Sequence, residues 1–232
     1  MFFKRKKSVE QPVEEPTVEE STPEPTSTSG PFDISDVPET DSYLDFGSIL
    51  VKPIPGMKVR MDVEQANQRV VAVSLEIAES RVQLMAFAAS KSDSLWPGIR
   101  EKITGDIHGQ KGEIFTREGE YGEELLAKVP QQLPDGRAGH VALRFVGVDG
   151  PRWFLRAVVG GAAIADEEAT KIVDELLRSV VINRGDKPLP PAELLPLNVP
   201  SNATTRAETP EAETAEPGIT RPERGPEITQ IG

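Results

Sequence analysis

The sequence predicts an α+β fold, a curved antiparallel sheet flanked by two helices, set between disordered acidic N- and C-terminal tails. Three observations carry that expectation. Strand-like alternation recurs through residues 43–200, it is interrupted twice by helical periodicity, and the stretches on either side are rich in Pro, Glu and Thr. With 232 residues, one domain with appendages is the natural organisation: tails at 1–42 and 201–232, and a single domain at 43–200.

Turn signals from Gly47 onward separate strands expected near Ile49–Ile54, Lys58–Glu64, Arg69–Ile77 and Arg81–Ala88. The connections Gln65–Gln68 and Ala78–Ser80 are short enough to make this run an antiparallel meander. Val71, Val73, Leu75 and Ile77 alternate with smaller or polar residues, the period of a sheet with one face on a core. The period then changes: Leu95, Ile99, Ile103 and Ile107 recur every four residues, opened by Ser92, Asp93 or Ser94 as the cap, with Pro97 tolerable in a first turn. Further strands are expected at Ile114–Arg117, Gly122–Gln131, His140–Val148 and Arg152–Val159, turned by Pro134-Asp135-Gly136 and Asp149-Gly150-Pro151. Ala169, Ile172, Val173, Leu176, Leu177 and Val180 make one apolar stripe, and Asp166, Glu167 and Glu168 suit the positive end of that second helix. This element order resembles the Mog1/PsbP-like fold over about Gly47–Asn183.

The formal charge of −12 lies mostly outside the domain: residues 43–200 carry 19 Lys and Arg against 22 Asp and Glu. A near-neutral folded surface offers no broad funnel for DNA or RNA, so nucleic acid is not an expected partner. The absence of cysteine excludes disulfides, thiolate nucleophiles and Cys-ligated metals, and fits a reducing, cytoplasmic setting. Lys4–Lys7 precede Ser8-Val9-Glu10 rather than an apolar run, so no secretory signal is expected, and no stretch approaches the roughly 20 apolar residues of a membrane helix. Phe2–Lys7 could make weak contact with an anionic membrane surface. The tails read as solubilising spacers; alternatively Thr17, Thr22 and Thr209, set among glutamates, are kinase targets.

Catalytic signatures are missing. His108 and His140 are the two histidines and have no metal-binding spacing, Gly109–Gly112 lacks the Gly-Lys-Ser/Thr of a phosphate loop, and no nucleophile elbow is present. Neither metal nor cofactor is expected. Glu118, Glu120, Glu123 and Glu124 surround Tyr121 between two glycines and read as a solvated charged turn.

The densest concentration of aromatic and basic residues is Arg144–Arg156. If Asp149-Gly150 is its turn, residues 147 and 152 pair. Arg144, Val146, Trp153 and Leu155 then share one face, and Phe145, Arg152, Phe154 and Arg156 the other. Two readings follow. In one, the aromatics pack under the helices while each arginine pairs with a carboxylate. In the other, Arg152 and Arg156 hold an anion or a peptide carboxylate, Trp153 or Trp96 floors the pocket, Arg144 contributes and Asp149 sits at its turn. The candidate binding residues are therefore Arg144, Asp149, Arg152, Trp153, Arg156 and Trp96.

The string RFVGVDGPRWFLR at Arg144–Arg156, with Gly160-Gly161-Ala162-Ala163, LLPL at Leu194–Leu197, QLPDGR at Gln132–Arg137 and GPFDISDV at Gly30–Val37, resembles the actinobacterial domain-of-unknown-function 3710 family over about Gly30–Pro200. The resemblance implies a cytosolic actinobacterial protein with variable acidic tails and brings no activity with it. The function expected is a non-catalytic binding or adaptor protein with a protein partner or a small anionic ligand. The alternative is an enzyme working without Cys or His on a phosphorylated or nucleotide-like metabolite.

Overall fold

The computed structural model describes residues 30–200, apart from 67 and 133–136. In chain order the elements are β1 (Phe32–Asp33), β2 (Leu44–Asp45), β3 (Ile49–Val51), β4 (Lys58–Glu64), β5 (Arg69–Ile77), β6 (Ser80–Ala88), α1 (Trp96–Gly109), β7 (Glu113–Gly119), β8 (Gly122–Gln132), β9 (Ala138–Gly150), β10 (Trp153–Gly161), α2 (Glu167–Arg178) and β11 (Val181–Ile182). Seven of the strands form one antiparallel sheet in the order β4-β5-β6-β10-β9-β8-β7; the short strands form a second sheet, β1-β11-β3-β2. The long sheet joins two meanders, because β10 returns to pair with β6 over nine residues.

Cross-strand register sorts the core into two sides. Val73, Leu75, Val82, Leu84, Val146 and Leu155 pack with Val173, Leu176 and Leu177 of α2 and with Ile49, Val51 and Ile182 of the small sheet. The alternate residues Leu125, Ala127, Phe145 and Phe154 pack with Trp96, Ile103 and Ile107 of α1. The helices thus engage opposite faces. Asp166 caps α2 by accepting from the Ala169 N–H at 2.8 Å, Glu167 and Glu168 lie in its first turn and Arg178 in its last. Each fully buried Leu of its stripe contributes roughly 1.5–3 kcal/mol.

Three features differ from the sequence expectation, and a fourth lies beyond it. Ile49–Ile54 does not begin the meander: its strand stops at Val51 and belongs to the small sheet. Pro53 and Pro55 bring no N–H for a ladder, and Gly56 turns the chain at φ +81°. Residues 30–42, expected to be tail, include a strand: Phe32–Asp33 pairs in parallel with Val181–Ile182, and the Phe32 N–H reaches Val180 O at 2.9 Å. α1 receives no cap from Ser92, Asp93 or Ser94; its flanking residue is Leu95. Finally, Leu194–Leu197 acts as a clasp. Leu195 N–H donates to Ala86 O, Ala88 N–H to Glu193 O and Asn198 N–H to Phe46 O, while Leu195 and Leu197 enter the α2-side core. Phe2–Lys7, Thr17, Thr22, Thr209 and the Pro134–Gly136 turn lie outside the described residues.

The β5–β6 turn holds Ala78 at φ +47° and Glu79 at φ +53°, closed by the Ile77–Ser80 pair. Positive φ at both central positions is the type I′ geometry, which Asn-Gly fits and side-chain-bearing residues strain. Glu79 is exposed, so Glu79→Gly is expected to stabilise the domain by about 1 kcal/mol. A urea denaturation series checks it; an unchanged or lower midpoint contradicts the strain argument.

Candidate functional site: the Arg/aromatic hairpin and the open sheet face

The β9–β10 hairpin turns at Pro151-Arg152, with Gly150 opposite Trp153 and Gly147 opposite Arg156. Pro151 at the first central position and φ +62° at Arg152 at the second are the combination a type II turn uses. Residue 147 therefore pairs with 156, not 152. The partner moves along its strand by four residues, an even number, so the division into faces survives. Arg152 is exposed in the turn.

On the α2 side, Arg144 is 2% exposed and Glu124 1%. Arg144 Nε and Nη2 donate to Glu124 Oε2 and Oε1 at 2.8 and 2.7 Å, and Nη1 donates to Asp174 Oδ1 at 2.6 Å. Arg117 Nε adds a bond to Glu124 Oε2 at 3.1 Å. Burial alone would push the Arg144 guanidinium down, yet the hydrogen bonds and charges of Glu124 and Asp174 outweigh it and hold the group above its usual value. The Glu124 carboxylate fits because Gly119 has no side chain: a Cβ there would lie 2.2 Å from Glu124 Cδ. Trp153 is buried on the same side, and its Nε1–H donates to Asp33 Oδ2 at 2.8 Å. Arg144 and Trp153 are thus held in internal contacts.

The four glutamates do not form a uniformly solvated turn: Glu118, Glu120 and Glu123 are exposed, but Glu124 is buried, and three of the four are held by arginines. Glu124 pairs with Arg144, Glu123 with Arg100 of α1, and Glu120 forms a two-pronged bond with Arg178 of α2 at 2.6 and 2.8 Å. The β7–β8 hairpin clamps both helices, and burial, followed by the nearby Glu120 charge, pushes the Tyr121 hydroxyl well above its usual value. The spacing of these glutamates gave no sign of their partners, which come from four separate elements, β7, β9, α1 and α2. Gly119 was the available signal, since a strand glycine can mark a close approach.

On the opposite side, Asp149 supplies the missing cap of α1: Oδ1 accepts from the Leu95 N–H at 3.0 Å and Oδ2 from the Ser94 hydroxyl. Trp96, at the helix start, lies over Gly147, where a Cβ would sit 2.3 Å from its indole, and stacks on Phe154 with ring centroids 6.0 Å apart. Its Nε1–H donates to Glu123 O at 2.7 Å.

Arg156 lies next to these groups and differs from them. Its guanidinium sits over the Phe87 ring at 5.9 Å and against the Met85 sulfur, and among the described residues no carboxylate pairs it and its buried Nε has no hydrogen-bond partner. Burial lowers its pKa from the usual value, although an arginine stays protonated at neutral pH. The structure therefore brings Asp149, Trp96 and Arg156 to one face, puts Arg144 and Trp153 on the other and leaves Arg152 at the tip.

Beyond α1, the face bearing Arg156 holds a cleft of about 590 Å³ whose lining includes Lys58, Glu76, Arg81, Leu143 and Gly160. These five are one cross-strand row from β4 to β9. Arg81 donates to Glu76 at 3.0 Å and, with Arg60 and Lys58, holds that carboxyl below its usual range against the opposing effect of burial. Across this half-face Lys58, Arg60, Arg81 and Arg156 stand against Asp62 and Glu76, with Glu79 at the rim. The cleft escaped sequence reading because its charges come one at a time from different strands. His108 and His140 are exposed, and among the described residues no three His, Asp or Glu side chains are placed to hold a metal ion. Among them, too, no helix is long and apolar enough to cross a membrane.

A family model described as a protein of unknown function (DUF3710) matches residues 30–206. No curated protein matches the chain.

Proposed function

We propose, for a chain that belongs to the DUF3710 family of proteins of unknown function, a non-catalytic binding or adaptor role in which an anionic segment of a protein partner lies on the open half of the β4–β6/β10 face. The observation that carries this reading is Arg156, a half-buried guanidinium beside an aromatic ring and, among the described residues, without a carboxylate. A desolvated cation is costly unless paired, and a carboxylate or phosphate brought to it completes the pair. Four residues along β10 lies Gly160 at the cleft, about 13 Å away at the rise of a strand. An extended acidic segment spans both. In this reading the Mog1/PsbP-like arrangement, a curved sheet with a helix on either side, serves as a binding platform. The actinobacterial cytosol is its setting, supported by the sequence strings and the absence of cysteine. The enzymatic alternative has less to draw on, since Glu120, Glu123 and Glu124 are held by arginines.

A charge-assisted bond to Arg156 is worth about 1.5–3 kcal/mol, so Arg156→Gln is expected to weaken binding roughly tenfold to hundredfold with a nearly unchanged melting curve. The probes are inorganic phosphate, citrate and an acidic phosphoserine peptide, read by thermal shift of the full chain and by titration. Equal binding by the variant, or unfolding of the variant, overturns the assignment; turnover of a phosphorylated compound would favour the enzymatic alternative.

A further inference from the structure

Among the described residues the seven-stranded sheet ends on two unpaired edges, β4 and β7. An open edge presents main-chain donors and acceptors to any strand that fits, and proteins blunt edges that must stay alone. β4 is blunted: its register breaks at a bulge between Asp62 and Val63, and Asp62 is engaged by Ser74 and Gln83. β7 is not. Its seven residues pair with β8 without a break, and Phe115 is left 58% exposed.

We propose that β7 is a homodimerisation edge, two copies adding β7 to β7 antiparallel about a two-fold axis through Phe115. The occupant follows from the strand's own sequence. Glu113, Phe115 and Arg117 alternate onto one face, opposite Lys128, Leu126 and Glu124 of β8. A two-fold axis at Phe115 sets each Glu113 opposite the partner's Arg117 and the two Phe115 rings against each other. That gives two reciprocal opposite-charge pairs around one aromatic pair, the cross-strand combinations that stabilise a sheet. Glu113 is exposed, and Arg117 is 41% exposed while bonding Glu124 through Nε. Edge protection works by like charges that repel a second copy; here the charges attract it. An isologous contact of this kind closes on itself and leaves the bulged β4 edges outermost, so assembly stops at two.

The test uses the full chain in analytical ultracentrifugation across a concentration series. A dimer is expected, and Phe115→Lys, which faces two ammonium groups at the axis, should raise its dissociation constant roughly tenfold or more. The register is tested separately. The chain has no cysteine, and residues directly opposite in an antiparallel pair have Cα atoms about 4.5–5.5 Å apart, within disulfide reach. Phe115→Cys should therefore cross-link to a covalent dimer under mild oxidation, whereas Glu113→Cys, which faces residue 117, should not. A monomeric mass throughout, a dimer unaffected by Phe115→Lys, or equal cross-linking at both positions would overturn the proposal.

Discussion

Arg144→Met is expected to destabilise the domain by about 3–5 kcal/mol, the cost of stranding one member of a buried ion pair. With Glu124 only 1% exposed and both its oxygens facing Arg144, removal of the guanidinium leaves a carboxylate out of water beside an apolar side chain. Arg117 supplies a single Nε contact at 3.1 Å and does not replace the two-pronged bond. Asp174 suffers less, since its side chain is 18% exposed and can turn to water. The cost should therefore concentrate in the Glu124–Arg144 pair. In the double variant Glu124→Leu/Arg144→Met much of the loss is expected to return, because replacing both charges removes the stranded group. Urea midpoints for the wild type, both single variants and the double form the cycle that isolates the coupling. If Arg144→Met keeps wild-type stability, the cluster is not holding α2 to the β7–β8 hairpin. A concomitant loss of ligand binding would then return Arg144 to the candidate site.

What the sequence disclosed of this network shows where local reading ends. Period-two alternation placed Lys58–Glu64 and Arg69–Ile77 at their observed limits, and the apolar stripe found α2, because both signals depend on neighbours within one element. Even an incorrect hairpin register preserved the faces, since only the parity of the pairing matters to them. β1, β2 and β11 have two residues each, too short to show any period; they exist because their partners are there. The cap of α1 reaches it from Asp149, more than fifty positions later. Likewise, Glu124 could not be matched to Arg144 without knowing that β8 and β9 are neighbours. Of the candidate binding residues, the chemistry was legible and the availability was not: Trp96, Arg144, Asp149 and Trp153 each have an internal partner, whereas Arg156 has no carboxylate among the described residues, its cross-strand neighbours being Gly147 and Met85.

Trp153 gives the second large effect. Trp153→Ala is expected to cost about 3–5 kcal/mol, the range for truncating a buried aromatic, because the indole is 1% exposed in the α2-side core. The surrounding atoms cannot easily collapse: a Cβ built on Gly150 would meet the ring at 2.2 Å, so strand and indole are already in close register. A second consequence distinguishes this residue from a general core position. Its Nε1–H bond to Asp33 ties β10 to the N-terminal segment, whose only described strand pairing is the two-residue contact with β11. Trp153→Phe keeps most of the bulk and removes that bond, so it should lose about 1–2 kcal/mol while selectively raising amide hydrogen exchange at Phe32, whose N–H bonds Val180 O. Ring burial and segment docking thus separate: if Trp153→Phe leaves exchange at Phe32 unchanged, Asp33 is held by Ser35 and the β1–β11 pairing alone. If Trp153→Ala melts with the wild type, the indole belongs to a binding surface rather than to the core.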